Sequence, residues 1–106
     1  MNVLFVCARN RLRSPTAEAV FASCEGIEAD SGGLAPDADV QVDAEQIAWA
    51  DVVMVMERSH RAKLTRRWKD ALRGKRVVVL GIPDDYAFMD ERLVALLERK
   101  VPLLLR

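Results

Sequence analysis

Four short apolar runs, each followed by a stretch of helical spacing, constrain this chain more than any other feature. Val3-Leu4-Phe5-Val6 stands at the N-terminus, Asp51-Val52-Val53-Met54-Val55-Met56 at the middle, and Val77-Val78-Val79-Leu80 towards the end. Runs this short and this rich in strand formers, bounded by polar turns, read as strands buried on both faces. Ile27 to Ser31 is a weaker second strand, and Ser31-Gly32-Gly33 then reads as a break. Strands that alternate with helices imply an α/β fold with a parallel sheet, helices on both faces and right-handed crossovers. The expectation is a three-layer αβα domain over residues 1–106, with four parallel strands in the order 2-1-3-4.

The helices between the runs carry recognisable ends. Ser14 reads as an N-cap with Pro15 at the first helical position, and Ala17, Val20, Phe21 and Cys24 follow at helical spacing up to Gly26. That places Cys24 in the core, at ~1.5 Å per residue roughly 15 Å from the loop before the helix. Asp43 caps a short helix through Trp49, and Ser59 caps a basic helix through about Leu72. Asp90 caps a last helix that buries Leu93, Val94, Leu96 and Leu97, and the tail Pro102-Leu103-Leu104-Leu105 is expected to pack back on the domain.

At 106 residues and 51% hydrophobic content the chain has material for one core and not for two. No apolar run approaches a membrane span, and the N-terminus lacks the basic region of a signal peptide. Two cysteines make no disulfide framework, so the expected compartment is the reducing cytoplasm. No cluster has metal-ligand spacing, and neither a metal nor a cofactor is expected. The formal net charge of zero argues against a dedicated nucleic-acid binder. That total hides an asymmetry: Ser14 to Glu57 contains no Lys or Arg, whereas Arg58 to Arg76 contains a single acid, Asp70. Arg9, Arg11 and Arg13 precede both. A positive face results if the first and third segments meet; a solvated basic helix is the plainer reading.

In doubly wound sheets ligands sit beyond the carboxyl ends of the strands. The first such loop is Cys7-Ala8-Arg9-Asn10-Arg11-Leu12-Arg13-Ser14-Pro15. It joins a buried strand to a helix N-terminus, so its backbone N–H groups form a nest for an anion, reinforced by the helix dipole. A cysteine at the mouth of that nest has its thiolate stabilised by the same field and becomes a nucleophile. Arg13 offers a planar fork matched to two phosphate oxygens. Ser14 offers a hydroxyl that holds the thiolate and eases its departure. Ala8 through Ser14 are therefore the expected phosphate-binding residues.

This segment resembles the phosphate loop of the low-molecular-weight protein tyrosine phosphatases, C-x-x-N-x-x-R-S-P, with Cys7, Asn10, Arg13, Ser14 and Pro15 matching. Asp30-Ser31-Gly32-Gly33 resembles the family's S-A-G turn. Trp49 to His60 resembles its F-D-x-I-x-x-M-D-x-x-N stretch, in which His60 stands where the family Asn orders the loop. Pro83-Asp84-Asp85-Tyr86 resembles the loop that supplies the general acid. The likeness runs in order along nearly the whole chain and is nearest to the short predicted tyrosine phosphatases of bacteria. It implies a phosphomonoester hydrolase, a protein tyrosine phosphatase acting on a phosphorylated protein or small aryl phosphate. Cys7 is then the nucleophile, Arg13 the phosphate fork, Asp84 or Asp85 the acid, and Tyr86 and Phe88 flank an aromatic substrate or close the core.

The departures are specific. Arg9 replaces a Gly, Leu12 replaces the second loop cysteine, and Arg11 occupies the variable position that helps choose the substrate. A cationic Arg11 is expected to disfavour phosphoarginine. The chain is shorter than the family between Gly33 and Ile47, which implies a shallower, more open pocket. Three other functions compete. A non-catalytic phosphate- or partner-binding module fits the same fold. An arsenate reductase needs resolving cysteines, and only Cys24 is available. A phosphocysteine carrier of a sugar transport system lacks the arginine that Arg13 supplies.

Overall fold

The computed structural model describes residues 1–105. Its elements run β1 (Asn2–Cys7), α1 (Arg13–Phe21), β2 (Glu28–Gly33), α2 (Ala44–Trp49), β3 (Val52–Val55), α3 (Arg58–Trp68), β4 (Arg76–Val79) and α4 (Glu91–Leu104). The four strands form one parallel sheet in the order β2-β1-β3-β4. Alternation along each strand divides the apolar residues between two faces. Val3, Phe5, Cys7, Met54 and Met56 pack under α1 and α4, while Leu4, Val6, Val53 and Val55 pack on Ile47 of α2 and Leu64 of α3. Three layers follow directly, because β1 and β3 are apolar on both sides and need cover on both. Phe5 and Phe21 stack with ring centroids 5.7 Å apart, which fixes α1 against the central strand.

Several helix ends differ from the sequence reading. α1 begins at Arg13, with Leu12 in the N-cap position and no side-chain cap. Ser14 lies inside the helix because its hydroxyl is taken by Cys7 and Asn10. α3 begins at Arg58 and not after Ser59; the backbone N–H of Glu57 donates to Nδ1 of His60 at 3.2 Å, which starts the helix two residues earlier. Asp43 does cap α2, accepting from the Gln46 amide at 2.8 Å. Asp90 caps α4, which continues through Pro102 to Leu104; the expected tail is therefore part of the helix, with Leu104 and Leu105 packed on the core as expected and Leu103 exposed. Leu93 and Leu97 are fully buried as expected, whereas Val94 and Leu96 are half-buried and Val101 completes the stripe.

Cys24 is exposed, contrary to its expected place in the core. The helix ends at Phe21, so the buried stripe stops one turn earlier and Cys24 falls in the turn that follows.

The expected break at Ser31-Gly32-Gly33 is instead the end of β2. These glycines are required by close approach rather than by a turn. A Cβ on Gly33 would lie 2.6 Å from the Ala8 carbonyl oxygen and 2.7 Å from Ala38 Cβ. Neither a main-chain oxygen nor a Cβ can swing aside. Gly33→Ala is therefore expected to cost about 1–3 kcal/mol of stability, the usual penalty of overpacking. Urea unfolding of the two proteins measures it, and an unchanged midpoint would show that the two segments can separate at no cost.

Candidate functional site

The loop from Ala8 to Leu12 owes its shape to the bonds made by its carbonyl groups. The amides of Leu34, Ala35 and Asp39 donate to the carbonyls of Cys7, Ala8 and Arg9 at 3.1, 2.8 and 3.1 Å. With those oxygens drawn outward, the N–H groups of the loop turn to the other side. Among the described residues, the amides of Ala8, Arg9, Arg11 and Leu12 donate to no protein acceptor. This leaves a concave set of donors, a nest suited to an anion. Asn10 carries the reversal with φ of 55°, a left-handed conformation that asparagine tolerates better than most residues.

Beneath the nest a chain of hydrogen bonds ends at sulfur. Asn10 Nδ2 donates to both Ser14 Oγ and Ser31 Oγ, each at 2.9 Å. Ser31 Oγ in turn donates to the Glu18 carboxylate. Because Ser14 Oγ already accepts from Asn10, its own proton is free for Cys7 Sγ, 2.9 Å away. The Asn10 amide also donates to Cys7 Sγ at 3.3 Å. The sulfur is thus held from two sides, by the Ser14 hydroxyl and by the Asn10 amide.

Arg13 is buried, and its charge is met from two strand ends. Nη1 donates to Glu57 Oε2 and to the Ile82 carbonyl, both at 2.7 Å, and Nε lies 3.7 Å from Asp84 Oδ1. The Arg13 hydrogen bond holds the Glu57 carboxyl below the usual carboxylate range, against the opposing push of burial. Glu57 is itself 3.6 Å from His60 Nε2. Burial lowers the pKa of His60, with the nearby Arg13 charge acting in the same direction. A neutral ring is also what the Nδ1 bond requires, since that nitrogen accepts from the Glu57 amide.

An open cleft of about 520 Å³ lies over the nest, lined by Cys7, Ala8, Arg9, Arg11, Leu12, Arg13 and Asp84. The structure thus brings Cys7, Arg13 and Asp84 together from three parts of the chain. It does not bring in Asp85, which is exposed and does not line the cleft. Tyr86 packs against the core with Arg92 over its ring at 5.4 Å, and Phe88 is 53% exposed; neither lines the cleft. Asn10 and Ser14 sit below the cleft as supports. Arg9 and Arg11 do stand at its rim, but both are paired: Arg9 with Asp37 at 3.8 Å, Arg11 with Asp37 at 3.7 Å and Asp39 at 3.2 Å. The short loop between Gly33 and Asp43 therefore supplies both the backbone donors that shape the nest and the acids that offset its rim.

The sequence reading gave no role in the site to Glu57, Asp37 or Asp39, and gave Glu18 only that of an acid suited to the helix dipole. A signal existed for Glu57, since it follows a buried strand at the edge where the first loop also lies. None existed for Asp37 and Asp39, whose partners become neighbours only when the loop folds back. Among the described residues no group of acids, histidines and cysteines has the arrangement of a metal site.

No protein-family model and no curated protein matches the chain. Solved structures do match over nearly its whole length. One is Wzb of Vibrio vulnificus in complex with benzylphosphonate, at 25% identity and a TM-score of 0.77, covering 97% of this chain and 95% of that one. Another is the YwlE arginine phosphatase of Geobacillus stearothermophilus, at 22% identity and a TM-score of 0.76, covering 97% and 92%. A third is the low-molecular-weight protein tyrosine phosphatase of Streptococcus pyogenes, at 18% identity and a TM-score of 0.79, covering 98% and 90%.

The buried His60 gives the site a measurable acid response. Between the ordinary histidine value of 6.5 and its lowered folded value, the unfolded chain binds a proton that the folded chain refuses. Stability is therefore lost as pH falls through that window. Glu57 works at lower pH, because its folded value lies below 4.5. Going from about pH 7 to about pH 5 is expected to lower the unfolding free energy of the native protein, and His60→Asn, which keeps an acceptor for the Glu57 amide, is expected to flatten that loss. Urea unfolding at the two pH values checks it; an equal loss in both proteins would place the acid response elsewhere.

Proposed function

We propose that this chain, which has the fold of the low-molecular-weight protein tyrosine phosphatases, hydrolyses phosphotyrosine on proteins through a cysteinyl phosphate. The observation that carries the proposal is the convergence on one cleft of a sulfur held by two donors, a nest of unpartnered amides, a buried guanidinium and a carboxylate. In the first step Cys7 Sγ attacks phosphorus, the S–P bond forms and the bond to the tyrosine oxygen breaks. The loop amides and Arg13 meet the charge on the equatorial oxygens, and they do so without reorganising. Asp84 gives its proton to the departing oxygen. In the second step water attacks the cysteinyl phosphate, Asp84 takes back a proton, and the sulfur leaves as a thiolate received by Ser14 and the Asn10 amide.

Asp84 is preferred to Asp85 as the acid because Asp84 lines the cleft and faces Arg13, while Asp85 does neither. An arsenate reductase reading finds no support: Cys24 stands beyond the far end of α1, away from the loop. A sugar-transport carrier has no use for a guanidinium at the phosphate. The pairing of Arg11 with Asp37 and Asp39 also weakens the charge repulsion expected against phosphoarginine. The preference for phosphotyrosine rests instead on the likeness of the phosphate loop. Among the described residues no helix is long and apolar enough to cross a membrane.

Turnover of an aryl phosphate tests the proposal. Cys7→Ser is expected to abolish it while leaving phosphate binding measurable by calorimetry. Turnover near the native rate in that variant would sink the mechanism, and phosphate affinity with no turnover in the native protein would mean a binding module. Matched phosphotyrosine and phosphoarginine peptides decide the substrate, with phosphotyrosine expected to be the faster.

Asp84→Asn is expected to lower kcat by about 10²–10⁴-fold, the usual contribution of general acid catalysis. Asp85→Asn should leave kcat near the native value. A pH–rate profile that changes in the Asp85 variant alone would reverse the assignment.

A further inference from the structure

We propose that the trough between α3 and the edge strand β4 is a docking site for an extended acidic segment of the phosphoprotein, an inference that rests on the phosphatase reading. β4 is the outermost strand, so one side of its backbone has no strand partner. Its valines are only half-buried, in contrast to those of β1 and β3. Beside it α3 and the segment that follows it present cations. One hollow is lined by Arg58, Arg61 and Arg66 over Val79, and the next by Arg61, Lys69 and Lys75 over Val77. Arg61 and Thr65 belong to both, so the two hollows form one continuous trough.

The charge of this trough is open except at Lys75, whose Nζ donates to the carbonyls of Ala48 and Ala50 at 2.9 and 2.8 Å. Among the described residues, the acid that pairs with an arginine or lysine between Arg58 and Arg76 is Asp70, which reaches Arg73 at 3.4 Å. Arg58, Arg61, Arg66 and Lys69 are exposed. The rim arginines of the cleft, by contrast, are already paired with Asp37 and Asp39. The charge asymmetry of the sequence thus reaches solvent at α3 rather than at the phosphate.

Three features favour a peptide. A valine floor accepts alternate side chains of an extended strand, and the free edge of β4 offers main-chain hydrogen bonds, the two elements of recognition by strand addition. No aromatic ring lines the trough, so the platform on which single-stranded nucleic acids stack is missing among the described residues. Position also fits. Arg58 directly follows Glu57, whose carboxylate holds Arg13, so the trough opens at the end of the sheet where the cleft lies. α3 is about 16 Å long at 1.5 Å per residue, enough for about five residues of extended peptide.

The experiment uses the whole protein and the double variant Arg61→Glu, Lys69→Glu, both positions being exposed and outside the cleft. Binding of an unphosphorylated peptide of alternating Glu and Val is followed by fluorescence anisotropy. In parallel, kcat/KM is measured for phosphotyrosine peptides carrying acidic or neutral flanks, and for p-nitrophenyl phosphate. The charge reversal is expected to lower kcat/KM for the acidic-flank peptide about tenfold at low salt. The loss should fall in KM, with the neutral-flank peptide and p-nitrophenyl phosphate unchanged. Equal values for the acidic and neutral flanks in the native protein would overturn the proposal. Tighter binding of a single-stranded oligonucleotide than of the acidic peptide at the same salt would overturn it too, by assigning the trough to nucleic acid. If the native protein turns over none of the phosphates, the phosphatase reading fails by itself. The anisotropy arm then still decides the trough: acidic-peptide binding lost on charge reversal supports it, and no binding overturns it.

Discussion

A buried guanidinium organises this molecule. Arg13 enters from the start of α1 and is met by Glu57 after β3 and by the Ile82 carbonyl after β4. A charge withdrawn from water is costly unless it is paired and hydrogen-bonded, so these three segments are bound to one geometry. The cleft is the outcome: the same geometry places Asp84, two residues after Ile82, over the loop that begins at Cys7. Glu57 gains its position from His60, which starts α3 by accepting the Glu57 amide. The helix end, the anchor of the arginine and the histidine whose pKa burial lowers therefore share one small cluster.

Much of the architecture was legible from the alternation of apolar runs. Strands buried on both faces need no tertiary information to be recognised, and β1, β3 and β4 lie where the runs stand. The strand order agrees with the expected 2-1-3-4, and Asp43 and Asp90 are caps as expected. The misread positions are those where the surroundings of a residue override its local preference. Ser14 is a good cap by type, yet its hydroxyl is claimed by Cys7 and Asn10. Gly32 and Gly33 look like a turn, yet they are strand residues kept small by Val42 and by Ala8. Cys24 continues a helical stripe on paper, but α1 ends at Phe21 before reaching it. At the site, the loop segment with Cys7 and Arg13 was visible because it is contiguous. The choice between Asp84 and Asp85 was not, because it depends on which side chain a loop without regular structure turns inward.

The loop between β2 and α2 holds the segment after Cys7 from outside, through the amides of Leu34, Ala35 and Asp39. The exposed pairs it makes with Arg9 and Arg11 add little stability individually, as surface ion pairs generally do. Their effect is electrostatic, since they lower the field at the rim while the cations of α3 keep theirs.

The strand order carries a consequence for how such a site comes into being. β1 is made first and ends in the sheet's interior, with β2 and then β3 added on either side of it and β4 outside β3. A chain emerging from the ribosome N-terminus first can therefore grow its sheet outward from a finished centre. The parts of the cleft are not made at the same time. Cys7 and the amides of its loop are present from the outset, the shaping contacts from Leu34 to Asp39 arrive with the second strand, Glu57 with the third, and Ile82 and Asp84 only after the fourth. The segments that anchor Arg13 and supply Asp84 are thus made after the loop they complete, and the cleft has its full set of charges only when synthesis has passed the last strand.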